Sequence, residues 1–186
     1  MTLGVPLLQF IQQANEFGLT RDAVLVSPIG LPDWLVDKLG EASTGVISAG
    51  SWAAWRIEEQ WPVTRQFNEA HYQQHGRVAG MQSLQSGSAA TLLLDAIGKA
   101  GSTEPDAIVK ALETVESKTP VGPLAFQAGG RQGLAPLFLG PYEKLASPKY
   151  GASYAQRPTV FPASLSLPKP AAEVGCHLDG TATAAK

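Results

Sequence analysis

Residues 23–30 read AVLVSPIG, and their reading decides the fold. Ala23 to Ser27 is a continuous apolar run, the pattern of a strand buried on both faces. Pro28-Ile29-Gly30 then turns the chain in a tight loop. Helical signals flank the run. Upstream, Pro6 suits the first helical position, where its missing N–H would be unpaired anyway. Leu7, Leu8, Ile11, Ala14 and Phe17 follow at helical spacing, and Gly18 ends the segment. Downstream, Pro32 opens a second helix with Trp34, Leu35 and Leu39, which stops near Gly40. Gly45 to Ser48 reads as the next strand. The α-β-α-β order predicts an α/β fold, a parallel sheet with helices on its faces.

Beyond Ser48 the stretch Ala49 to Trp55 is loop-like and aromatic. Pro62 starts a third helix, with Val63, Phe67 and Ala70 on one face, running to about His75 and stopping at Gly76. Ser88 fits an N-cap for a helix over Ala89 to Ala100, or that helix begins earlier, near Val78. Gly101 closes it, and Pro105 opens another with Ile108, Leu112 and Val115 inward. Gly122–Phe126 and Pro136–Leu139 flank Gly129-Gly130 in a β-hairpin-like excursion. From Pro141 onward lie six of the 14 prolines, and periodicity fades. Residues 141–186 therefore read as an irregular, Pro-rich segment, disordered from Ala171, after a folded region over 1–140.

Composition narrows the function. Only 16% of the 186 residues are charged and the net charge is −2. A broad basic field for nucleic acid is excluded, as is a highly charged disordered chain. Cys176 is the lone cysteine, so no internal disulfide forms, and with His177 it supplies too few ligands for structural zinc. No apolar run approaches the ~18 residues of a membrane-spanning helix, so membrane insertion is not expected. The N-terminus lacks the pattern of a secretory signal.

The search for chemistry returns little. No phosphate-binding glycine loop and no nucleophile elbow occurs. His71 and His75 share a helix face at i, i+4, a spacing compatible with a metal, but their neighbours read as a solvated surface. Glu58 and Glu59 point about 100° apart on a helix and read as solvated charges. The chain is thus not expected to be an enzyme or to carry a cofactor. The aromatic cluster says more. Trp52, Trp55 and Trp61 follow a predicted strand, and ligands of open α/β sheets bind outside the carboxyl ends of strands. Trp52 reads equally as a ligand wall or as packing, whereas Trp55 and Trp61 read mainly as packing.

Five stretches, in order, carry a resemblance. FIQQANEFGL (Phe10–Leu19) is similar to a helix ending in Q-A-x-x-x-G-L, and VLVSPIG (Val24–Gly30) to the strand and ligand loop after it. FNEAHYQQHG (Phe67–Gly76), AIGKAGS (Ala96–Ser102) and TPVGPLAF (Thr119–Phe126), the last followed by Arg131-Gln132, complete the series. Over residues 5–140 the chain resembles the C-terminal half of a type I periplasmic binding protein of the branched-chain amino-acid transporter group. The resemblance implies two α/β lobes of parallel sheet, incomplete at the N-terminus, with a crossover between about Ala49 and Ser88. It implies a periplasmic substrate-binding component that delivers a small molecule to an ABC permease; the alternative is a ligand-sensing regulatory module of the same fold. Ligand-binding positions carried over residue by residue, together with the strand exits, are Ser27, Ile29, Gly30, Ser51, Trp52 and Gly87. The family's amino-acid binders have Glu where Ile29 stands and Tyr-Asp where Gly87-Ser88 stands. Losing that carboxylate removes a charge-assisted hydrogen bond worth about 1.5–3 kcal/mol, which implies a bulkier, less cationic ligand. A half-length chain is also expected to expose Leu92, Leu93, Ile97, Ile108 and Leu112.

Overall fold

The computed structural model describes residues 4–49, 54–127 and 132–166, with Lys169 and Glu173. Helix α1 spans Val5–Glu16 and buries Ile11 and Ala14, as its apolar spacing requires. Gly18 adopts the left-handed conformation that stops it, and a single turn, α2 (Leu19–Asp22), follows. Strand β1 (Val26–Ser27), helix α3 (Asp33–Leu39) and strand β2 (Ile47–Ala49) complete the α-β-α-β opening. The two strands pair in parallel, Val26 opposite Ile47 and Ser27 opposite Ser48. The expected five-residue strand shrinks to two residues because, among the described residues, β1 has a neighbour on one side only, leaving Val24 and Val26 exposed.

Helix α4 covers Pro62–His75, α5 covers Met81–Ala100 and α6 covers Pro105–Leu112. Helix α5 therefore starts well before Ser88, and α6 stops before Val115. Ser88 is not a cap. It lies buried inside α5, where its hydroxyl accepts the Val121 N–H at 3.2 Å. Strands β3 (Glu116–Thr119), β4 (Gly122–Phe126) and β5 (Gly133–Leu134) form a small antiparallel sheet. The hairpin anticipated across Gly129-Gly130 is the β4–β5 pair, with Ala125 opposite Leu134. Pro136–Leu139 belongs elsewhere.

It belongs to the segment read as irregular. Strands β6 (Leu137–Ser147), β7 (Gly151–Gln156) and β8 (Thr159–Phe161) are regular structure; Pro141 lies within β6, and Pro148, Pro158 and Pro162 fall outside the strands. The main sheet runs β1-β2-β6-β7, with β8 also on β6. All pairings made by β6 are antiparallel, so the sheet is mixed. Pro141 is tolerated because its carbonyl still accepts the Arg157 N–H at 2.8 Å, while its nitrogen has no proton to place. The segment from Ala171, expected to be disordered, lies outside the described residues apart from Glu173.

Two apolar clusters result. One joins α1, α3 and the main sheet through Ile11, Leu31, Leu35, Val36, Leu39, Val46 and Tyr142. The other joins α5 and the segment before α4 through Ile57, Ala79, Leu84, Val121 and Phe138. Strand β6 supplies Tyr142 to the first and Phe138 to the second. Leu92, expected at the surface, is buried, and Ile97, Ile108 and Leu112 are half-buried. The exposed pair on α5 is Leu93 and Leu94.

Candidate ligand-binding site

A cavity of about 350 Å³ opens where the two clusters meet. One wall is the start of α3, with Asp33, Trp34 and Asp37. Across from it lie Gly76–Gly80 and the first turn of α5. Trp55, Tyr142, Tyr150, Tyr154 and Gln156 complete the lining. The volume falls in the range of small-molecule sites, and its aromatic walls with a few converging polar groups have the character of such sites.

Asp33 ties the two sides together. Its Oδ2 accepts the Met81 N–H at 2.8 Å, so a residue of α3 caps α5 across 48 positions of sequence. A Cβ on Gly80 would lie 2.0 Å from that oxygen, so glycine is what lets the carboxylate approach. Burial holds the Asp33 carboxyl above its ordinary value of 3.8; the Met81 N–H and Arg77 oppose that shift, and Asp37 adds to it. A raised folded-state value means that the protonated acid is favoured in the fold. The stability it contributes is complete below about 3.8 and is lost as pH rises through the folded value. Asp33→Asn keeps an acceptor for Met81 and removes the desolvated charge. Its stability relative to the native chain is therefore expected to rise between about pH 3.5 and pH 7, whereas Asp33→Ala costs about 1 kcal/mol through loss of the cap. Denaturant titrations at both pH values check the pair; a flat Asn-minus-Asp difference would contradict the sign.

The rim opposite is held by Glu58. Read in sequence as a solvated charge, it is half-buried and accepts from Asn68 Nδ2 at 2.7 Å and from the Tyr150 hydroxyl at 2.8 Å. Burial, then Glu58, push the Tyr150 phenol up to about 12, so it stays a donor at neutral pH. The β6–β7 turn that carries Tyr150 is also pinned by an ion pair between Lys149 and Glu69 of α4.

The residues singled out in sequence fall in three places. Ser27 is buried in β1, and Ile29 and Gly30 form the loop after it, with Ile29 exposed and Gly30 at φ +86°, a conformation suited to glycine. These three are adjacent, but they do not line the cavity. Gly87 is inside α5, where a Cβ would lie 2.5 Å from the Phe67 ring, so its small size also serves helix packing. Ser51 and Trp52 lie outside the described residues. Of the other tryptophans, Trp61 packs edge-on against Phe138 at 5.9 Å, as its core reading anticipated, whereas Trp55 lines the cavity. His71 and His75 do share a face, their rings 4.5 Å apart, and the carbonyl of Arg77 lies 2.9 Å from His71 Nδ1. The sequence reading did not pick out Asp33, Arg77 or Gln156. Asp33 carried one usable signal, an acid in the first turn of a helix just past the strand-exit loop. Gln156 carried none, because its strand was not recognised.

A family model described as "Periplasmic binding protein" matches residues 1–145. No curated protein matches the chain. Solved structures share its fold, among them the following three. An amino acid ABC transporter substrate-binding protein from Pseudomonas fluorescens Pf-5 superposes with TM-score 0.72 at 18% identity, over 95% of this chain and 46% of that one. A solute-binding protein from Rhodopseudomonas palustris BisB5, in complex with 3,4-dihydroxybenzoic acid, gives 0.66 at 21% identity, over 83% and 42%. A leucine-, isoleucine-, valine-, threonine- and alanine-binding protein from Brucella ovis gives 0.66 at 18% identity, over 90% and 43%. The chain thus spans less than half the length of each.

Proposed function

Because the chain belongs to the periplasmic binding protein family, we propose that it is part of the substrate-binding component of an ABC transport system, acting in the periplasm on a small organic ligand, amino-acid-like or an aromatic carboxylate. The observation that carries this reading is the cavity at the junction of the two apolar clusters, with aromatic rings on both sides and the Asp33 and Asp37 carboxylates on the α3 wall. A cavity at such a junction changes shape when its two sides move, which is how a binding protein signals occupancy to a permease. The role is binding without chemistry. The similar solved structures are transport components, which favours transport over the sensory alternative. The loop Ser27-Pro28-Ile29-Gly30, with Ser51, Trp52 and Gly87, is proposed to complete the ligand contacts.

Trp34 and Trp55 line the cavity, so tryptophan fluorescence reports its filling. Titration with leucine and with p-hydroxybenzoate is expected to give saturable quenching by at least one of them. No saturable response to any small organic acid or amine would overturn the reading. Ile29→Glu restores a carboxylate to the loop and is expected to raise leucine affinity relative to p-hydroxybenzoate by about 10-fold or more, from a charge-assisted hydrogen bond of about 1.5–3 kcal/mol. An unchanged ratio would remove Ile29 from the site.

A further inference from the structure

We propose that His71 and His75, on the last two turns of α4, form a two-nitrogen site for a borderline divalent transition-metal ion of the copper, nickel and zinc class. Neither residue lines the cavity described above, and the site goes beyond the function proposed from it.

The sequence supplies the spacing. Residues four apart on a helix are neighbours on one face, and the two imidazole rings lie 4.5 Å apart. The way His71 is held turns a shared face into a pair of ligands. Helix α4 stops at Gly76, whose φ of +67° reverses the chain. The reversal brings the Arg77 carbonyl to 2.9 Å from His71 Nδ1. A carbonyl oxygen only accepts, so Nδ1 carries the proton and Nε2 presents a lone pair. A backbone carbonyl on one ring nitrogen is the usual support of a histidine that binds metal through the other. Phe67 steadies the same ring, stacked against it with centroids 6.4 Å apart. Phe67 is confined in turn by α5, because a Cβ on Gly87 would lie 2.5 Å from it. His71 is thus half-buried and oriented, whereas His75 is exposed and able to turn its ring to a shared ion. Among the described residues, nothing is hydrogen-bonded to His71 Nε2 or to the His75 ring.

The position favours a cation. The carboxyl end of a helix carries partial negative charge, and His75 is the last residue of α4. Imidazole nitrogen suits copper, nickel and zinc, whereas Mg²⁺ and Ca²⁺ take oxygen ligands. Among the described residues no third histidine, cysteine or carboxylate joins the pair. Water therefore fills the remaining positions. The ion is exchangeable, unlike a structural zinc with about four protein ligands.

Calorimetry on the whole untagged chain, at about pH 7.5 where imidazole is free to ligate, tests the site with copper, nickel, zinc and magnesium chlorides. One Cu²⁺ per chain is expected, held more tightly than Ni²⁺ or Zn²⁺, with no response to Mg²⁺. Nitrogen hyperfine structure in the Cu²⁺ paramagnetic resonance spectrum is expected to report imidazole ligation. His71→Gln and His75→Gln are each expected to weaken Cu²⁺ by about 10-fold or more. Gln73→His combined with His75→Gln keeps two histidines but sends them to different sides of the helix, and is expected to lose as much. Cys176→Ser combined with His177→Gln removes the other histidine and the thiol, and is expected to leave binding unchanged. Thermal unfolding without metal confirms that the variants fold. Cu²⁺ affinity weaker than about 1 mM would overturn the proposal. So would binding retained by the His71 and His75 variants or by the displaced pair, or binding lost with Cys176 and His177.

Discussion

Gly140→Ala is expected to cost the fold about 3 kcal/mol or more. Gly140 is buried in the middle of β6, opposite Ser48 of β2. A Cβ there would sit 1.9 Å from the Arg157 carbonyl oxygen, 2.9 Å from its carbon and 3.3 Å from Pro158 Cα. All three are backbone atoms, so no side chain can swing aside. The chain between β7 and β8 would have to move, and with it the Arg157 N–H bond to Pro141. The Gln156 contact to the Gly140 carbonyl would shift too, and with it the floor of the cavity. Urea denaturation of the native and Ala chains measures the loss. A midpoint urea concentration unchanged from the native value would show that the strands relax more freely than the contacts imply.

Phe138→Ala is expected to cost about 3–5 kcal/mol. Phe138 is 1% exposed, two residues before Gly140, and points into the second apolar cluster. Its ring meets Trp61 edge-to-face at a 79° interplanar angle, an arrangement that adds to simple burial. Trp61 is itself confined, because a Cβ on Gly122 would lie 2.8 Å from its ring, so it cannot easily collapse into the space left behind. A cavity would remain. The control is Leu137→Ala on the same strand, 39% exposed, with an expected loss below about 1 kcal/mol. Equal losses at the two positions, read from denaturant midpoints, would contradict the assignment of Phe138 to the core.

The helices were legible in the sequence where punctuation and periodicity agreed. Helix α4 runs from Pro62 to the residue before Gly76, as its bounding residues announce. The sheet was legible only where a strand stood between helices. Strand β6 escaped for a physical reason: it changes partners along its length. Its buried residues alternate through Phe138, Gly140 and Tyr142, then slip by one to Leu145 and Ser147 as it passes from β2 and β8 to β7. With Gly140 and Pro141 in the centre, neither a clean period of two nor a β-rich composition survives. The site followed the same rule. Ile29 and its loop were singled out because a strand exit points to them, whereas the cavity residues Tyr150, Tyr154 and Gln156 depend on strands that local pattern did not reveal. Glu58 looked solvated because its partners, Asn68 and Tyr150, lie 10 and 92 residues away.

The position of β6 also bears on how the protein is made. Strand β2 is complete once residue 49 has left the ribosome, yet its antiparallel neighbour, at residues 139–141, is translated some ninety residues later. Tyr142, which closes the first apolar cluster and donates to the Leu31 carbonyl at 3.1 Å, arrives later still. Until then the nascent chain carries an open strand edge, of the kind that recruits other chains. Pairings this distant along the sequence are slow to form. Residues 5–49 thus keep an unpaired edge on β2 and an unclosed first cluster until β6 has been made.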